Sequence, residues 1–174
     1  MQIAMKWILG AFLPVAVALA GCAPGAGPAD AAAAAPPPTI ALRLSSWGQT
    51  MLTWTISADG TGSYTEAEGV ATNFRNYTLV TRRLDAGTAG YAEIRTLLAS
   101  TERHAGNGIA CTLQITDQAY GRVSWNGVET PFNFGCRSKD ADAMIAGIEK
   151  ANGRLKILAA NGDILNTEQI GSPQ

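Results

Sequence analysis

The sequence predicts an α+β domain: an antiparallel sheet of six or seven short strands packed with two α-helices, in the order strands, helix, strands, helix. Three observations point there. Strand-like segments, apolar at every second residue, come in runs and not singly between helices. The runs are twice interrupted by stretches whose apolar residues recur every three or four positions. Asp59-Gly60 and Asn126-Gly127 each sit between strand-like segments, where a tight hairpin requires positive φ.

The elements follow in order. Ile40-Ala-Leu-Arg-Leu-Ser45 alternates and reads as a strand, and Ser46-Trp47-Gly48-Gln49 as a turn. Thr50 to Ser57 is rich in Thr and aromatic residues, with Leu52, Trp54 and Ile56 on one face. Gly62 to Glu66 returns after Asp59-Gly60, and Asn76 to Arg82 is a further strand. Thr88 is positioned to cap a helix starting near Ala89, in which Tyr91, Ile94, Leu97 and Leu98 form the apolar face. Gly106 to Gly108 ends that region. Leu113 and Ile115 alternate again, followed by Tyr120 to Trp125, the Asn126-Gly127 turn and Val128 to Phe134. Pro131 has no N–H to donate, so this last strand belongs at an edge or carries a bulge. A second helix is expected from Lys139 to Asn152, capped by Ser138, with Asp140 and Asp142 in its first turn and Gly153 as its stop. Leu155 to Ala160 then reads as a final strand, Asn161-Gly162-Asp163 as a turn, and residues 167–174 as a frayed tail.

The folded domain is preceded by two segments of different texture. Met1 to Lys6 carries one positive charge, and Trp7 to Ala20 is an uncharged apolar run of 14 residues. That is the length of a signal-peptide core and falls short of the roughly 20 residues needed to span a bilayer. The run closes in Leu19-Ala20-Gly21-Cys22: an aliphatic residue, two small residues, then cysteine. This resembles the lipobox of bacterial lipoprotein precursors, a likeness confined to about the first 22 residues. The resemblance implies a signal peptide over residues 1–21, alkylation of the Cys22 thiol with diacylglycerol, and cleavage between Gly21 and Cys22. The freed amino group is then a second acylation point, and two chains hold a protein on a membrane where one does not. In Gram-negative members of that family a residue other than Asp after the cysteine goes with export to the outer membrane, and here it is Ala23. The expected location is therefore the cell envelope, lipid-anchored at the periplasmic face of the outer membrane. Residues 22–38, ending in Pro36-Pro37-Pro38, hold no large apolar side chain and form an Ala/Pro-rich tether. Residues 39–174 remain as a single domain, roughly 135 residues, enough for a real core.

Charge narrows the function. Removing Lys6 with the leader leaves 13 − 1 = 12 basic residues against 14 acidic ones, a net of −2. The longest basic run is Arg82-Arg83, so no positive stripe for nucleic acid is present.

Once Cys22 is lipidated, Cys111 and Cys136 remain, and an even pair in an exported domain favours a disulfide. A plain meander opposes it, because Cys111 would start one strand and Cys136 end the third, at opposite ends of the sheet. Either the first of these strands bends at Asp117 or the pair stays reduced; the bend and the bond are the expectation. A two-thiolate metal site lacks further ligands, so no metal and no cofactor are expected.

Catalytic signals are thin. His104, the single histidine, falls in a loop after the first helix, where solvated surface is the plain reading. No nucleophile elbow surrounds any Ser. Asp140 and Asp142 stand on nearly opposite sides of a helix and read as capping charges, not as a carboxylate pair. The aromatic residues are the better lead. Trp47 stands in a turn between Ser46 and Gly48, and Tyr120, Trp125 and Phe132 on the second sheet region. Exposed rings stack on glycans or anchor protein partners; filling the core is the bland alternative. The candidate binding residues are Trp47 and Trp125. The expectation is a non-enzymatic binding or structural domain. Alternatives are an inhibitor of a lysozyme or protease, a glycan-binding module and, least favoured, a hydrolase using His104.

Overall fold

The structure, a computed structural model, describes residues 38–69 and 75–171. The expected signal peptide, Cys22 and the expected tether up to residue 37 lie outside the described residues. The fold is α+β, as the patterning predicts. Four strands come first: β1 (Thr39–Ser46), β2 (Gln49–Ser57), β3 (Thr61–Glu68) and β4 (Tyr77–Asp85). Helix α1 (Gly87–Leu97) and the single turn α2 (Ala99–Glu102) follow. Next come β5 (Leu113–Gln114), β6 (Tyr120–Trp125), β7 (Val128–Asn133) and β8 (Cys136–Arg137), the long helix α3 (Lys139–Ala159), and β9 (Ile164–Ile170).

Seven strands form one antiparallel sheet in the order β7-β6-β1-β2-β3-β4-β9. Pro131 is on β7, an edge strand, where its missing N–H costs no ladder bond. The strands alternate as half-buried strands should. Ile40, Leu42, Leu52, Trp54, Ile56, Tyr64 and Leu84 point to the helix side and join Ile94, Leu98, Met144, Ile148 and Leu155 in one core. The indole N–H of Trp54, buried with its ring, donates to Asn152 Oδ1 of α3 at 2.8 Å. The opposite face presents Arg43, Thr53, Thr55, Ser63, Thr65, Thr81 and Arg122, polar side chains that are half-buried or exposed.

Several boundaries differ from the sequence expectation. Thr88 does not cap α1: the helix begins at Gly87 after Ala86, with no side-chain cap, and Thr88 is exposed within its first turn. Ser138 does cap α3, accepting from the Ala141 amide at 3.2 Å. Gly153 does not stop α3, which runs through the expected strand 155–160 to Ala159. Leu155 and Ala159 continue the buried stripe of Met144, Ile148 and Ala151, and this packing outweighs the helix cost of one glycine, about 1 kcal/mol. The last strand therefore falls later, and residues 167–170 of the expected frayed tail are ordered as part of β9 on the edge beside β4.

The segment after α2 also departs from the expected meander. Leu113 and Ile115 do not enter the main sheet. Leu113–Gln114 pairs instead with Cys136–Arg137 as a separate two-stranded ribbon. Cys111 and Cys136 are disulfide-bonded, with their Cα atoms 5.2 Å apart. The geometric objection is met as anticipated, by a bend at Asp117, whose φ is +62°.

Candidate functional site

Two two-residue hairpins in this domain have the same backbone and different occupants. Asn126-Gly127 joins β6 to β7 with φ of +49° and +86°. Trp47-Gly48 joins β1 to β2 with φ of +50° and +79°. Positive φ at both central positions is the turn whose twist suits a hairpin, and Asn or Asp followed by Gly is what it prefers. Asn126 meets that preference and adds a bond, its Oδ1 accepting from the Thr39 amide at 2.8 Å. Trp47 does the reverse. A bulky side chain in the left-handed region is an outlier, and its ring is 70% exposed. Neither backbone preference nor burial accounts for a tryptophan there.

The rest of the site is brought to Trp47 by the ribbon. After Gln114 the chain passes through Ile115, Thr116, Asp117 and Gln118 before joining β6 at Tyr120. With Asn133 at the end of β7, these residues and Trp47 line one open cleft of about 400 Å³. Asp117 is the second non-glycine residue in the cleft with positive φ, out of three among the described residues. Backbone strain concentrated at one surface site is a mark of function. Two rings, Trp47 and the 43%-exposed Tyr120, face the cleft together with amide and hydroxyl groups of Gln114, Thr116, Gln118 and Asn133. Asn133 Oδ1 accepts from the Gly135 amide at 2.6 Å, which fixes the side chain.

The other candidates lie elsewhere. Trp125 is not a surface ring: it is 9% exposed and part of the core, with an indole N–H that has no hydrogen-bond partner among the described residues. His104 is half-buried, and its hydrogen bonds are through its backbone: its carbonyl accepts from the Thr130 hydroxyl at 3.3 Å, and its amide donates to the Thr101 carbonyl at 3.0 Å. No Ser hydroxyl or carboxylate bonds its ring among the described residues. The disulfide borders a smaller apolar pocket of about 190 Å³ with Ile109, Phe132, Met144 and Ile145. No group of three or more His, Cys, Asp or Glu is placed to hold a metal ion among the described residues. No helix among them is long and apolar enough to cross a membrane.

The sequence singled out Trp47 because a tryptophan in a turn is not expected to be wholly buried. It missed Gln114, Asp117, Gln118 and Asn133 as partners, because they meet Trp47 only once the ribbon leaves the sheet. The cysteine pair was the one signal that the ribbon would leave.

No known protein family, curated protein or solved structure matches this chain.

Proposed function

We propose that this chain is a lipid-anchored envelope lipoprotein whose domain is a non-enzymatic binding module, and that the Trp47 cleft takes a glycan. The anchor part rests on Leu19-Ala20-Gly21-Cys22 behind its apolar run, with Ala23 directing the protein to the periplasmic face of the outer membrane. The tether then lifts the domain from the bilayer by its own length.

One observation carries the glycan part: an exposed tryptophan held in a conformation that its own backbone disfavours, lining one cleft with a tyrosine and amide side chains. Sugar rings have apolar C–H faces that stack on aromatic rings and hydroxyls that pair with amides. The cleft offers both kinds of contact side by side. An inhibitor reading would use the same indole as a protein anchor, but a cleft edged by short polar side chains favours the smaller ligand.

Two measurements test the two parts. Cys22→Ala should abolish lipid labelling and release the protein from membranes; normal membrane retention of that variant counts against the anchor. Trp47→Ala should weaken binding of N-acetylglucosamine oligosaccharides by about tenfold, the loss of one good aromatic contact. Equal binding by the variant, or none by the native chain, overturns the glycan reading.

A further inference from the structure

We propose that the glycan is an acidic one, and that Arg43 and Arg122 on the open sheet face bind its carboxylates; this rests on the glycan reading above. Arg43 of β1 and Arg122 of β6 are register partners, so their side chains leave the same face from adjacent strands. Both residues are exposed. Like charges directly opposite one another weaken a sheet. Here they are only half compensated: Arg122 pairs with Glu129 of β7 at 2.9 Å. Arg43 donates to the neutral hydroxyl of Thr50 at 3.1 Å and has no carboxylate partner among the described residues.

The pair lines a shallow depression of about 510 Å³ together with Thr53, Thr55 and Ser124. That depression adjoins the Trp47 cleft at Tyr120. Tyr120 lines both, and Gly48, the other half of the Trp47 turn, borders the depression. Tyr120 and Arg122 are two residues apart on one strand, so they share a face at a spacing of about 7 Å. A saccharide stacked on Trp47 and Tyr120 thus continues onto two guanidinium groups and a row of hydroxyls. Guanidinium holds a carboxylate by two parallel N–H···O bonds. Within the depression Glu129 offsets one of the two positive charges and leaves a net of one, with Asp117 lining the Trp47 cleft and not this face, and that charge matches a monoanionic carboxylate better than a dianionic phosphate.

Two tetrasaccharides with one backbone separate the possibilities: a neutral N-acetylglucosamine tetramer and an alternating N-acetylglucosamine–N-acetylmuramic acid tetramer, which adds carboxylates. Binding is measured on the full-length chain in detergent. The acidic tetramer should bind about tenfold more tightly at low salt, as one charge-assisted contact provides, and the difference should shrink as salt rises. Arg43→Gln should remove most of that preference by weakening the acidic tetramer far more than the neutral one, whereas Trp47→Ala weakens both ligands alike. Glu129→Gln, by freeing Arg122, should raise affinity for the acidic tetramer alone, a gain that a merely structural role would not produce. Equal affinity for the two tetramers, or a preference that survives Arg43→Gln combined with Arg122→Gln, overturns the inference while leaving the glycan reading in place. Failure of both tetramers to bind overturns both.

Discussion

Trp47 is the residue at which backbone preference and the proposed binding role part. Its turn has a matched control in the same chain, since Asn126 fills the equivalent position of an equivalent hairpin. Left-handed backbone costs an ordinary L-residue roughly 1–2 kcal/mol, and Asn much less because its short side chain bonds locally. An exposed indole recovers little of that cost. Trp47→Asn is therefore expected to stabilise the domain by about 0.5–1 kcal/mol while removing the stacking surface from the cleft. Chemical denaturation checks the first effect and saccharide titration the second. A destabilised Trp47→Asn variant would mean that the ring is held by packing, and that its exposure says nothing of a ligand. The residue was legible in the sequence because a ring in a turn between Ser46 and Gly48 is expected to be exposed, whereas its strained backbone was not legible there. Trp125 was not separable from it by that test, since a ring on an alternating strand points inward or outward according to register, and register is a property of the paired sheet.

At the scale of elements, local signals located starts better than stops. Ser138 announces α3 because a cap is a contact between neighbours in sequence. Gly153 misleads because the end of α3 is decided elsewhere, by the sheet against which Leu155 and Ala159 pack. Glycine inside a helix costs entropy that only the packing of the rest offsets. Gly153 is exposed, and a methyl group built on its backbone meets nothing within 4 Å. Gly153→Ala is thus expected to raise stability by about 0.5–1 kcal/mol, chiefly by restricting the unfolded chain, with no change in saccharide binding. Gly147, on the same helix, gives the opposite case. A Cβ there would come 2.5 Å from the Leu97 carbonyl oxygen, so helix α3 rests directly on the end of α1 at that point. Thermal melts of Gly153→Ala and Gly147→Ala should therefore shift in opposite directions. A loss of stability in the Gly153 variant would show that the helix is strained there and that the glycine relieves it.

For the whole molecule, the fold class was legible because alternation, periodicity and turn residues all agree. The route of residues 111–118 was open, because it depends on a bond between positions 25 apart. That bond connects the scales. It ties the segment leading into β5 to β8, which runs directly into α3 at Lys139, and the ribbon carries one wall of the cleft. Cys111 is exposed while Cys136 is buried, so the link fastens a surface segment to the edge of the core. Leu113, at 59% exposure, adds little packing of its own, and the ribbon is held otherwise by short backbone pairing, including the Ile115 amide to the Gly135 carbonyl at 2.8 Å. Without the disulfide the segment loses its main constraint. Cys136→Ser is expected to cost about 2–5 kcal/mol, enough to threaten a domain of ordinary stability. Cys111→Ser breaks the same bond from the exposed end and leaves the buried thiol in place, so it is expected to be the milder of the two. In Cys111→Ser, glycan affinity should fall further than stability, because Gln114, Asp117 and Gln118 lose their fixed position while the core keeps its packing. Thiol counting on the exported, unreduced protein checks the premise: no free thiol at positions 111 and 136 is expected, and two free thiols would mean that the cleft is held by backbone pairing alone.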